Sequence, residues 1–121
     1  MDYKEPKKED IEELVSFLPI LYNDDAELYN IEFDDNFYHY NDNVYSFIEL
    51  SSKACWVVSK YSDELIKNNG IENASLEDIK SLLTFCIRGE KFYNGHIARM
   101  LEKKIIKKIL DRLNVILKDY H

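Results

Sequence analysis

From Ile97 to Leu117 the chain repeats apolar residues at spacings of three and four, through Met100, Leu101, Ile105, Ile106, Ile109, Leu110 and Leu113. Such a run is an amphipathic helix with a broad apolar face, and a face that wide must be covered by several other elements. The elements available to cover it are helices. The sequence has only three glycines and two prolines, and both prolines (Pro6, Pro19) lie in the first fifth, so the turns that many short strands need are missing. The expected fold is all-α, a compact bundle of four or five helices around one core. A chain of 121 residues suffices for a single domain, assigned to residues 9–121 after a polar, loosely held arm at 1–8.

Helix one begins at Glu9, with Ile11, Leu14, Val15, Leu18 and Leu21 on one face, and Pro19 predicts a kink or stop around Leu18. Helix two is predicted from an Asp42 or Asn43 cap to about Asn68. Its ladder includes Val44, Phe47, Ile48, Cys55 and Val58, and Trp56 and Val57 widen it, so this helix is expected at the centre of the bundle. Asn68, Asn69 and Gly70 are expected to end it. Ser75 and Asp78 form a capping arrangement for helix three, which should run to about Ile87 and be stopped by Gly89. After a loop from Arg88 to Asn94, with Asn94 as cap, helix four fills the rest.

Between helices one and two, residues 23–42 follow neither period, and an irregular aromatic and acidic connection with a short extended piece is expected. The charge is just as uneven. From Glu9 to Ser52 there are twelve Asp or Glu and no Lys or Arg, whereas from Lys53 onward thirteen basic residues outnumber nine acidic ones. The two halves either neutralise each other or offer fields to partners. Asp24, Asp25, Glu27, Glu32, Asp34, Asp35, Tyr38 and Tyr40 are the candidate interaction surface, suited to a protein partner with a basic surface. An acidic, tyrosine-rich stretch of this kind can imitate a nucleic-acid backbone, as inhibitors from phages and other mobile elements do.

The run RGEKFYNGHIARMLEKKIIKKILDRL, Arg88 to Leu113, resembles the hallmark of a bacterial domain family of unknown function: Arg-Gly-Glu-Arg-Phe, one variable residue, Asp-Gly, an apolar helix, Glu-Asn-Gly, and a last helix ending Arg-Leu. Arg88, Gly89, Glu90, Phe92, Gly95, Leu101, Glu102, Arg112 and Leu113 match. Lys91 and Asn94 depart mildly, and Lys103-Lys104 stands where Asn-Gly is typical. The resemblance implies a helical cytoplasmic domain and carries no activity. Helix four either breaks at Lys103-Lys104, as in the family, or runs on as one helix.

Arg88, Gly89, Glu90, Phe92, Gly95 and His96 form the candidate loop. In one reading Glu90 and His96 are a general acid and base with Arg88 holding an anion, giving a small enzyme or ligand binder. In the other, Arg88 and Glu90 brace a turn whose geometry Gly89 and Gly95 permit; this reading is preferred, because catalysis needs a third group that the spacing does not supply. His39, His96 and His121 share no metal-ligand spacing, and no phosphate-cradling glycine motif is present, so neither a metal nor a cofactor is expected. Cys55 and Cys86 read as reduced core thiols. Nucleic-acid binding through Lys103, Lys104, Lys107, Lys108 and Arg112 is disfavoured by a pI near 4.9. No stretch reads as a secretory signal or a membrane span, so a cytoplasmic location is expected. The expectation is a binding or inhibitory module, with a homodimer allowed, in preference to an enzyme.

Overall fold

A computed structural model describes residues 5–23, 27–31, 37–59, 64–68 and 70–120. Among them are seven α-helices: α1 (Lys8–Val15), α2 (Phe17–Leu21), α3 (Asp42–Ser51), α4 (Glu64–Lys67), α5 (Leu76–Phe92), α6 (His96–Glu102) and α7 (Ile105–Lys118), with a 3-10 turn at Ile71–Asn73. Strands β1 (Tyr29–Ile31) and β2 (Tyr38–Tyr40) pair antiparallel in a small hairpin within the acidic connection, with Asn30 opposite His39. The architecture is the helical bundle expected. Its helices are more broken than the periodicity shows, since three of the four predicted helices are split.

The first split is at Ser16. A proline ring clashes with the carbonyl four residues back, here that of Val15, so the helix must yield there rather than at Leu18. Pro19 then becomes the third residue of α2, where its missing N–H falls among donors that a helix start leaves free. Ahead of α1 the chain is tied down at Pro6, which is buried and whose carbonyl accepts a bond from the Tyr120 hydroxyl.

The predicted long helix two is corrected to α3 and the short α4. Asn41, not Asp42 or Asn43, caps α3: its side-chain oxygen accepts from the Val44 N–H at 2.9 Å, while its amide donates to the Glu27 carbonyl at 2.8 Å. Ser52 hydrogen-bonds back to the Ile48 carbonyl, and the chain turns out of the helix with Trp56 N–H on the Lys53 carbonyl. A continuing helix would spread Trp56, Val57 and Val58 over three sides. The turn instead buries Trp56 completely and delivers the Val58 N–H to the Thr84 hydroxyl of α5.

The central helix is α7, not helix two. It packs against α1, α2, α5, α6 and the 3-10 turn and buries Ile105, Ile106, Ile109, Leu110 and Leu113. Cys55 and Cys86 are both free and buried in the core it organises, and burial pushes the Cys86 thiol up to about 12. Among the described residues no helix is long and apolar enough to cross a membrane.

Candidate functional site

Ser75 opens α5 with a capping box, its hydroxyl accepting from Asp78 N–H while the Asp78 carboxylate accepts from Ser75 N–H. The helix then runs through Gly89 to Phe92, one turn past the predicted stop. Gly89 is there for contact, not for a turn. A β-carbon on it would lie 2.4 Å from Cδ2 and Nε2 of His96, so only glycine lets the imidazole rest on the helix. Gly95 does make the turn, at φ 91°, and a β-carbon there would also meet the Tyr38 ring at 2.5 Å. Asn94 is not the cap expected for the next helix: its side-chain oxygen accepts from the Tyr38 N–H at 2.7 Å and fastens the joint to β2.

Since Gly95, the N-cap of α6, has no side chain, the free donors of that helix are met from elsewhere. Glu90 reaches over from α5, its Oε2 accepting from Gly95 N–H at 3.0 Å and its Oε1 from Ile97 N–H at 2.8 Å. The Tyr40 hydroxyl donates to Glu90 Oε1 at 2.7 Å and accepts from Ala98 N–H at 3.1 Å. A carboxylate on backbone N–H groups at a helix start is favoured by both the bonds and the dipole. Burial and the adjacent Glu90 charge raise the Tyr40 pKa, so the phenol stays protonated as a donor.

The same device recurs at the next joint. Helix four breaks where the hallmark resemblance implies, with Lys103 right-handed and Lys104 left-handed at φ 62°, and α7 also lacks a side-chain cap. Here the Tyr22 hydroxyl accepts from Lys107 N–H at 3.0 Å and donates to the Leu101 carbonyl at 3.3 Å. In both cases a distant tyrosine occupies the third amide of an uncapped helix. Burial pushes the Tyr22 pKa up to about 12, which keeps this phenol neutral as well.

The candidate residues therefore separate. Glu90 borders a groove of about 310 Å³ whose lining includes Tyr38, Tyr40, Tyr45, Ile48 and Ile87. His96 borders another cavity, of about 330 Å³, with Phe85, Gly89, Phe92, Tyr93 and Arg99. Arg88 lines neither. The three do not converge on one cavity as an acid–base site requires. His96 packs edge-on against Phe85 with centroids 5.1 Å apart, and its Nε2 is buried without a hydrogen-bond partner among the described residues. Burial lowers its pKa, opposed by Glu90 and assisted by Arg99, and favours the neutral ring.

Of the candidate interaction surface, Asp24, Asp25, Glu32, Asp34 and Asp35 lie outside the described residues. Glu27 is exposed and Tyr38 half-buried, while Tyr40 is largely buried, its hydroxyl held in the joint and its ring at the groove wall. Tyr45 and Phe37, neither of them among the candidate surface residues, are 52% and 53% exposed. In the basic stripe, Lys107 pairs with Asp111 at 3.0 Å and Arg112 Nε donates to the Ala74 carbonyl at 2.8 Å, so two of its five cations have internal roles. Among the described residues no three His, Cys, Asp or Glu side chains gather as metal ligands.

The sequence profile of the family of unknown function DUF6508 matches residues 6–119. The chain belongs to that family. No curated protein and no solved structure matches it. Membership in DUF6508 spans α1 through α7, so the two braced joints lie within the family's own domain.

Proposed function

We propose that this protein is a binding module that takes up a basic segment of a protein partner along the groove between the hairpin, α3 and the end of α5. The supporting observation is a tyrosine-lined groove whose hairpin and α3 walls come from the chain's base-free stretch, with Lys91 the one cation among the described residues that line its α5 wall. Tyr45 is half exposed beside Tyr40 at a centroid distance of 6.0 Å, and exposed Asp42 and Glu49 lie on the same helix. Aromatic faces attract Lys and Arg side chains, and neighbouring carboxylates steer them there. A partner with a basic surface of the kind nucleic-acid-binding proteins carry suits this chemistry, and occupying such a surface would inhibit it, the role that fits a product of a phage or mobile element acting in the cytoplasm.

The test is a titration of the isotopically labelled protein with a Lys/Arg-rich peptide and with its Glu-substituted counterpart, read by amide chemical shifts. The basic peptide should shift amides in β2, α3 and Ile87–Asn94, more weakly as salt rises, because a Debye length of about 8 Å at physiological ionic strength screens exposed charges. The Tyr45→Ala variant should bind less tightly. Saturable shifts confined to other surfaces, or equal binding of both peptides, would contradict the proposal.

A further inference from the structure

The cavity at His96 shares no lining residue with the tyrosine groove. Its volume, about 330 Å³, lies at the lower end of the range for small-molecule sites. Three aromatic rings line it, and two of them, Phe92 and Tyr93, are 74% and 68% exposed at the end of α5. Adjacent rings left this open offer stacking faces that the chain's own core does not use. Gly89 forms the wall against which the His96 imidazole lies. Opposite in character is Arg99, an exposed guanidinium that forms no ion pair among the described residues and whose planar fork matches a carboxylate. His96 adds the edge of its ring, its Nε2 being buried and without a hydrogen-bond partner among the described residues.

We infer that this cavity binds a small planar aromatic carboxylate, its ring stacked among Phe85, Phe92 and Tyr93 and its carboxylate held by Arg99. The apolar area selects a ring, and its shallow size limits the ligand to one or two fused rings. Arg99, the one cation among the described residues that line the cavity, selects an anion over a neutral or cationic analogue. This assignment stands apart from the proposed groove function, since each uses different residues.

Amide-shift titration with benzoate and indole-3-carboxylate, each against its neutral carboxamide, tests the inference on the intact protein. Carboxylates of this size should saturate at about 1–10 mM, given the affinity available to roughly ten heavy atoms, with shifts centred on Phe92–Arg99. The carboxamides should bind about tenfold or more weakly, the worth of a charge-assisted pair. Arg99→Gln, an exposed substitution that leaves the core intact, should abolish that preference, and Phe92→Ala should weaken both ligand types. No saturable shift, shifts outside residues 85–99, or equal binding of carboxylate and carboxamide would each overturn the inference. Loss of basic-peptide binding at the groove has no bearing on these readouts.

Discussion

Lys103 and Lys104 are neighbours with the same side chain and opposite backbone demands, so replacing each by glycine should move stability in opposite directions. Lys104 sits at φ 62°, ψ 23°, a left-handed conformation that costs an L-residue about 1–2 kcal/mol. Glycine removes that cost but adds unfolded-chain freedom worth about 0.4–1 kcal/mol, leaving Lys104→Gly more stable by about 0.5–1 kcal/mol. Lys103 is right-handed at φ −77°, where glycine has nothing to relieve, and Lys103→Gly should lose about 0.5–1 kcal/mol. Both side chains are exposed, so lost packing contributes little to either value. Urea unfolding at constant m-value reads the difference as separated midpoints, and thermal midpoints should differ by several degrees. Equal midpoints, or a Lys104→Gly variant less stable than Lys103→Gly, would refute a left-handed joint between α6 and α7.

Gly95→Ala combines a strained φ of 91° with a β-carbon 2.5 Å from the Tyr38 ring. It should destabilise by about 2 kcal/mol or more, measured by the same unfolding curves, because the turn and the hairpin contact fail together. His96 should titrate by NMR below its ordinary value of 6.5, with burial as the main cause, Glu90 opposing and Arg99 assisting. Its folded pKa is depressed, so the stability it contributes is present above the unfolded pKa and is lost as pH falls through the folded one. The pH 7.5 to 5.5 slope should therefore flatten in His96→Gln.

The periodic ladders of α5 and α7 and the Ser75 capping box are legible in the sequence because they depend on residues three or four apart. What the ladders do not show is where a helix yields to a contact from far away. Gly89 reads as a stop until the His96 ring, seven residues on, is seen lying against it. Asn94 reads as a cap, yet β2 takes its side chain. Val44 to Ile66 reads as one helix, since the pairing of the Val58 N–H with Thr84 has no local signal. Tyr40 reads only as part of an acidic surface, and Tyr22 carries no local signal at all. Tyr22 and Tyr40 instead bond to Lys107 and Ala98, 85 and 58 residues away, and no local pattern encodes those distances. A weak clue existed, in that both α6 and α7 lack a Ser, Thr, Asp or Asn at the N-cap position, so their first donors must be met from elsewhere.

The central claim is that Arg88 to His96 is a joint in which Glu90 and Tyr40 cap α6 from outside it. Residue-resolved amide hydrogen exchange tests this directly. The Gly95 and Ile97 amides, on the Glu90 carboxylate, and the Ala98 amide, on the Tyr40 hydroxyl, should be protected in the natural protein. Glu90→Gln should speed exchange at Gly95 and Ile97 first, and Tyr40→Phe at Ala98 first, with the core amides of α7 still protected. If all three amides exchange at unchanged rates in both variants, the caps do not exist and the joint is held by something else.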